Sequence, residues 1–138
     1  MVIFQRLIEA GVFCGYYKKQ RLSNNQTVFL FLIKEKLNKY IEWNVALAIA
    51  YKRKDVKAWI RGEKTLDYCT GECGLEGLIW AKNTLKEFEY FIKREKVRQR
   101  IIVSWTDNKK KKVYVKYLGK MKYKHVNHYG KQVLIKNI

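Results

Sequence analysis

The sequence contains no proline among its 138 residues, so its turns must be made by glycine, asparagine and aspartate. Acid is scarce: 12 Asp and Glu stand against 30 Lys and Arg, a net charge of +18. Long apolar runs are absent too. The longest, Phe29–Ile33 and Val45–Tyr51, fall well short of the about 20 residues that a membrane helix needs. Residues Met1–Arg6 lack the basic start and long apolar stretch of a secretory signal. Cysteine is limited to Cys14, Cys69 and Cys73, an odd count that argues for free thiols in a reducing compartment rather than a disulfide framework. From these absences a membrane span, a cleaved signal and a multidomain enzyme are not expected. The expectation is a single domain over residues 1–138 in the cytoplasm, the host cytoplasm if the chain is viral.

What is present suits a folded domain, since 48% of the residues are hydrophobic. The charge is unevenly placed. Residues 1–61 hold 12 basic and 4 acidic side chains, residues 62–95 hold 5 and 7, and residues 96–138 hold 13 and 1. The last third alone carries +12, a local potential that would attract a polyanion such as nucleic acid or an acidic protein. A solvated lysine-rich face is the plainer reading of the same residues.

Periodicity organises the rest. Phe4, Leu7, Ile8 and Gly11 fit a short amphipathic helix over Val2–Gly11 stopped by glycine, with a strand at Val12–Lys18 following or replacing it. Thr27–Lys36 reads as a buried strand after the polar cluster Ser23–Gln26. Ile41–Lys52 alternates large apolar residues (Ile41, Trp43, Val45, Leu47, Ile49, Tyr51) with small or polar ones, a strand with one heavily packed face. Its alanines would let another element, such as a helix, lie close. Val56–Arg61 returns as a further strand. Leu75, Leu78, Ile79, Leu85, Phe88, Phe91 and Ile92 recur at three and four, giving a helix of about five turns that ends near Glu95. Arg100–Trp105 is a short apolar strand. Thr106 or Asp107 can cap a second helix with Val113, Tyr114, Tyr117, Leu118 and Met121 on one face and Lys109, Lys112, Lys116 and Lys120 on the other. Tyr123–Asn127 and Gln132–Ile138 form a hairpin about Gly130. The fold class expected is α+β, a mostly antiparallel central sheet with a long helix after a glycine-rich turn.

Several constellations suggest chemistry. Gly71, Gly74 and Gly77 precede the long helix, where unsatisfied main-chain N–H groups and the helix dipole can hold phosphate. The spacing matches neither the P-loop nor the dinucleotide fingerprint, and a plain strand-to-helix turn would look the same. Cys69, Cys73, His125 and His128 have zinc chemistry but not finger spacing, so no metal is assigned. No catalytic triad or carboxylate pair is legible. Tyr114 and Tyr117 could include a general acid, although a tyrosine on an apolar helical face is ordinarily core. Lys109, Lys110, Lys111, Lys112, Lys116 and Lys120, interleaved with tyrosines, form a candidate nucleic-acid surface.

From about residue 27 onward the order of elements resembles the GNAT acyltransferase superfamily. Lys57–Arg61 would be the first central strand, Tyr68–Gly77 the turn that holds the acetyl-CoA pyrophosphate, and Arg100–Trp105 the splayed strand. The segment from Asp107 to Tyr123 looks like the family's basic helix and the pair after it, with Lys122-Tyr123 in the place of Gly-Phe. The turn departs from the family pattern at Gly71 and Glu76, and the two helices after the first strand are missing. The resemblance implies a small GNAT-like acyltransferase using acetyl-CoA. Gly71, Cys73, Gly74, Leu75 and Gly77 would hold the cofactor, and Asn108 and Tyr117 would lie near the thioester, with Tyr117 as proton donor. A degenerate relative that has lost acyl transfer fits the same departures. The alternative is a non-catalytic basic protein that binds nucleic acid or assists assembly, of viral, mobile-element or ribonucleoprotein type.

Overall fold

The computed structural model describes residues 4–50, 76–105 and 108–138. The order of elements is β1 (Gln5–Glu9), β2 (Val12–Arg21), β3 (Thr27–Lys36), β4 (Ile41–Ala50), α1 (Glu76–Lys93), β5 (Gln99–Val103), α2 (Asn108–Gly119), β6 (Lys124–His128) and β7 (Lys131–Asn137). All seven strands join one sheet in the order β1-β2-β3-β4-β5-β7-β6. Every neighbouring pair is antiparallel except β4 and β5, which run parallel from Ile41↔Gln99 to Val45↔Val103. A parallel pair needs a crossover, and the connection between these two strands contains α1.

The expected α+β, GNAT-like class is corrected by this architecture. Strand accounts for about half of the described residues and helix for about a quarter, so the sheet dominates. The segment read as an N-terminal helix contains β1, which pairs with β2 through the turn Ala10-Gly11. Its helix-like spacing does not mark one shared face: Phe4 packs into the main core, Leu7 packs with Phe29 and Phe31, and Ile8 is exposed. Leu7 faces Gly15 while Ile8 faces Phe13, so Cys14 is an extra residue of β2, a bulge in the hairpin. The assignment of Lys57–Arg61 as the first central strand also fails. The partners of β5 are β4 and β7, which fill both of its edges. Val56–Arg61 itself lies outside the described residues.

One face of the sheet makes the main core. Val28, Leu30 and Leu32 of β3, Trp43, Leu47 and Ile49 of β4, and Ile101 and Val103 of β5 pack with Ala81, Leu85, Phe88 and Ile92 of α1. Phe88 is fully buried and meets Phe4 and Trp43 edge-on, with ring centroids 5.2 and 5.0 Å away, a favoured aromatic geometry. Recurrence of buried residues every three or four positions is what makes this segment a helix. Gly77 lets its first turn approach β4: a Cβ there would lie 3.0 Å from Cδ1 of Ile49. On the opposite face Phe29 and Phe31 stack with centroids 5.8 Å apart, and their cross-strand partners are Ala48 and Ala46. The alanines of β4 thus make room for phenylalanine rings on the neighbouring strand.

Two hairpins use the same device. Ala10-Gly11 and Tyr129-Gly130 both have positive φ at both positions (50° and 78°, 51° and 80°). Two left-handed residues in a two-residue loop match the twist of the flanking strands.

Candidate functional site

The parallel pair has two unlike ends. At its start β4 and β5 are stitched together. Trp43 Nε1 donates to Gln99 Oε1 at 2.9 Å, and Gln99 Nε2 donates to the Ile92 carbonyl at 2.6 Å, tying both strands to the end of α1. Arg100 donates to Glu42 Oε2 at 2.8 and 3.1 Å, with the guanidinium 4.4 Å from the Tyr40 ring centroid.

At the other end the strands part. The ladder stops at Val45↔Val103, whereas β4 continues to Ala50. The Ile41 N–H donates to the Arg98 carbonyl at 2.8 Å, so the odd-numbered residues of this regular strand turn their main-chain groups toward β5. Beyond Val45 no ladder partner from β5 remains, and the main chain at Leu47 therefore borders the gap.

That gap is a cleft of about 270 Å³. Val45, Ala46 and Leu47 form one wall, Val103, Ser104 and Trp105 another. Leu78, Ala81, Lys82 and Leu85 of α1 and Val113, Tyr114, Tyr117 and Leu118 of α2 complete it. Tyr117 is half-buried, and its ring centroid lies 6.0 Å from Lys82 Nζ and 5.7 Å from Lys116 Nζ. At the rim, Trp105 meets His125 edge-on at 5.6 Å, and His125 Nε2 lies 3.1 Å from Gln132 Oε1.

Of the residues named for the cofactor, Gly71, Cys73, Gly74 and Leu75 lie outside the described residues. Gly77 is described, and packing against Ile49 explains it. Glu76, an acid at the same helix start, is turned away: its carboxylate accepts hydrogen bonds from the Ser23 N–H at 3.1 Å and the Ser23 hydroxyl at 2.6 Å. Asn108 begins α2, the helix that carries Tyr117.

The described lysines on α2 and just after it go to different places. Lys109 and Lys110 lie in its first turn, their side chains outside the description. Lys111 donates to Gln132 Oε1 at 2.9 Å. Lys112 and Lys116 form an exposed stripe, while Lys120 borders a different hollow with Lys86 and Lys93. The candidate zinc residues Cys69 and Cys73 lie outside the described residues. His125 and His128 are three apart on β6 and so point to opposite sides of it. Among the described residues no group of three or more metal-ligating side chains occurs. No helix among them is long and apolar enough to cross a membrane.

Beneath that second hollow lies a buried cluster. The Tyr123 hydroxyl donates to Glu89 Oε2 at 3.0 Å, and Lys136 donates to Glu89 Oε1. Burial, with the adjacent Glu89 charge and hydrogen bond, pushes the Tyr123 phenol well above its ordinary value.

Sequence reasoning singled out Tyr117 but missed Lys82, Ser104 and Trp105. No motif marks them; only the parting of two strands distant in sequence brings them together. Comparison of the chain with models of known families, with curated proteins and with solved structures finds no match.

Proposed function

We propose that the chain is a small acyltransferase that draws its acyl group from acetyl-CoA, with the thioester arm in the cleft between β4 and β5. The observation that carries this reading is the parting of a parallel pair beyond Val45 and Val103 with a tyrosine in the wall. A strand edge without a neighbour offers N–H and C=O groups to a narrow extended ligand as it would to another strand. The main chain at Leu47 supplies that edge, and the apolar walls suit a slender arm. Lys82 and the first-turn N–H groups of α1 favour an anionic head group on that side, and Glu76 is engaged elsewhere.

Tyr117 is the proton donor in this reading. A neutral amine attacks the thioester carbonyl, a C–N bond forms and the C–S bond breaks. The departing sulfur takes the Tyr117 hydroxyl proton, the nitrogen gives its proton to water, and Tyr117 recovers one from water.

Titration calorimetry with acetyl-CoA at low salt tests the binding, and release of free thiol in the presence of primary amines tests the transfer. Val113→Trp, which fills the cleft from α2, should weaken binding at least about tenfold. Tyr117→Phe should preserve binding and slow thiol release by about a hundredfold. Absence of saturable heat at millimolar acetyl-CoA, or binding indifferent to Val113→Trp, would overturn the reading.

A further inference from the structure

We infer that the stitched end of the β4–β5 pair carries a docking groove for single-stranded nucleic acid, separate from the cleft. Two hollows border that end. One, of about 390 Å³, is bordered by Lys86, Tyr90, Lys93, Lys120, Lys122 and Lys136. The other, of about 440 Å³, is bordered by Lys39, Tyr40, Arg98 and Arg100. Asn137 and Ile138 line both, but the second opens on the opposite face of the sheet, because Arg100 alternates with Ile101, whose side chain packs toward α1.

Most of the positive charge here is unspent. Arg100 is paired with Glu42, and Lys136 with Glu89. Lys39, Lys86, Lys93, Arg98, Lys120 and Lys122 make no ion pair among the described residues. Among the described residues Glu89 is the one acidic side chain bordering the first hollow, and Lys136 and Tyr123 already engage both of its oxygens.

The arrangement of rings selects the partner. Tyr90 is 67% exposed and has Lys86 one turn before it and Lys93 one turn after it. On a helix the spacing i, i+4, i+7 places all three on one face. A flat aromatic surface between two cations matches the alternation of base and phosphate along a single strand: the ring stacks a base while the lysines neutralise its flanking phosphates. An acidic protein surface would need the cations but not the uncovered ring.

Fluorescence anisotropy with a labelled twelve-nucleotide oligothymidylate, titrated from low to physiological salt, tests this. The quadruple variant Lys86→Ser, Lys93→Ser, Lys120→Ser, Lys122→Ser should bind much more weakly and lower the slope of log affinity against log salt by about 3. Tyr90→Ala should weaken binding about tenfold with the slope unchanged, and Tyr90→Phe should restore it. Lys112→Ser with Lys116→Ser should change little. All these side chains are exposed, and the melting temperature checks that each variant folds. The inference falls if Tyr90→Ala binds as the parent does, or if polyglutamate binds equally tightly and shows the same dependence on the four lysines. The substitutions at Lys86, Tyr90, Lys93, Lys120 and Lys122 leave the cleft wall untouched, so acetyl-CoA binding should survive them; loss of one activity leaves the other standing.

Discussion

The first pairs of the β4–β5 ladder and the residues just beyond its last pair are only a few positions apart, yet they are built on opposite principles. At the start every polar group is met: Glu42 by Arg100, Trp43 by Gln99, and Gln99 by the carbonyl of Ile92. Past Val45 the strands diverge and main chain borders an apolar gap. The fully bonded end spends side chains on holding the sheet together. The divergent end leaves surface for something else to occupy. Rigidity at one end is what allows the other to stay open, because two strands clamped along five residue pairs can separate further on without unravelling.

Substitutions can break this contrast. Arg100→Ala should be the most damaging, since it leaves the buried Glu42 carboxylate without its partner; we expect a loss of about 3 kcal/mol in denaturant unfolding. The pH dependence comes next and belongs to the same bonded end. Because the Tyr123 pKa is raised on folding, its contribution is complete below the unfolded value of about 10 and is lost as pH rises beyond it. Stability should fall there by up to about 1.4 kcal/mol per pH unit from this group. Comparing melting temperatures of the parent and Tyr123→Phe from pH 9 to 11.5 isolates it from the lysines, and the variant should show the shallower decline. Smallest of the three, Val113→Ala trims a half-buried wall of the open end and should cost about 1 kcal/mol or less. A loss at Val113 equal to that at Arg100 would erase the distinction between the ends.

Much of the sheet was legible from its apolar pattern. Thr27–Lys36 coincides with β3 because a continuous apolar run is buried on both faces of the sheet, and Ile41–Lys52 contains β4 because a heavily packed face repeats every second residue. The long helix and the terminal hairpin were legible for similar reasons. Strand β1 was not, because its apolar residues serve different surroundings: Phe4 packs into the main core, Leu7 against Phe29 and Phe31 on the other face, and Ile8 is exposed. The cleft was legible only through Tyr114 and Tyr117, since its walls come from five elements that no local pattern connects. The groove was hidden by arithmetic: Lys86 and Lys93 sit in the one stretch whose charges sum to a negative value. Their positions on either side of Tyr90 say more than that total.

The parallel seam also has a bearing on how the chain reaches this state. Glu42 and Arg100, neighbours across it, are 58 residues apart in sequence, the most distant strand pairing among the described residues. Closing so large a loop is entropically slow, and such non-local pairings delay folding. Until α1 has crossed over, β4 presents one unsatisfied edge with Val45, Leu47 and Ile49 beside it, a template on which a second chain can add its own strand. Newly made copies are thus most vulnerable to mutual entanglement in the interval before the middle of the sheet is sealed, and mutual repulsion from their shared positive charge is the defence this sequence carries through that interval.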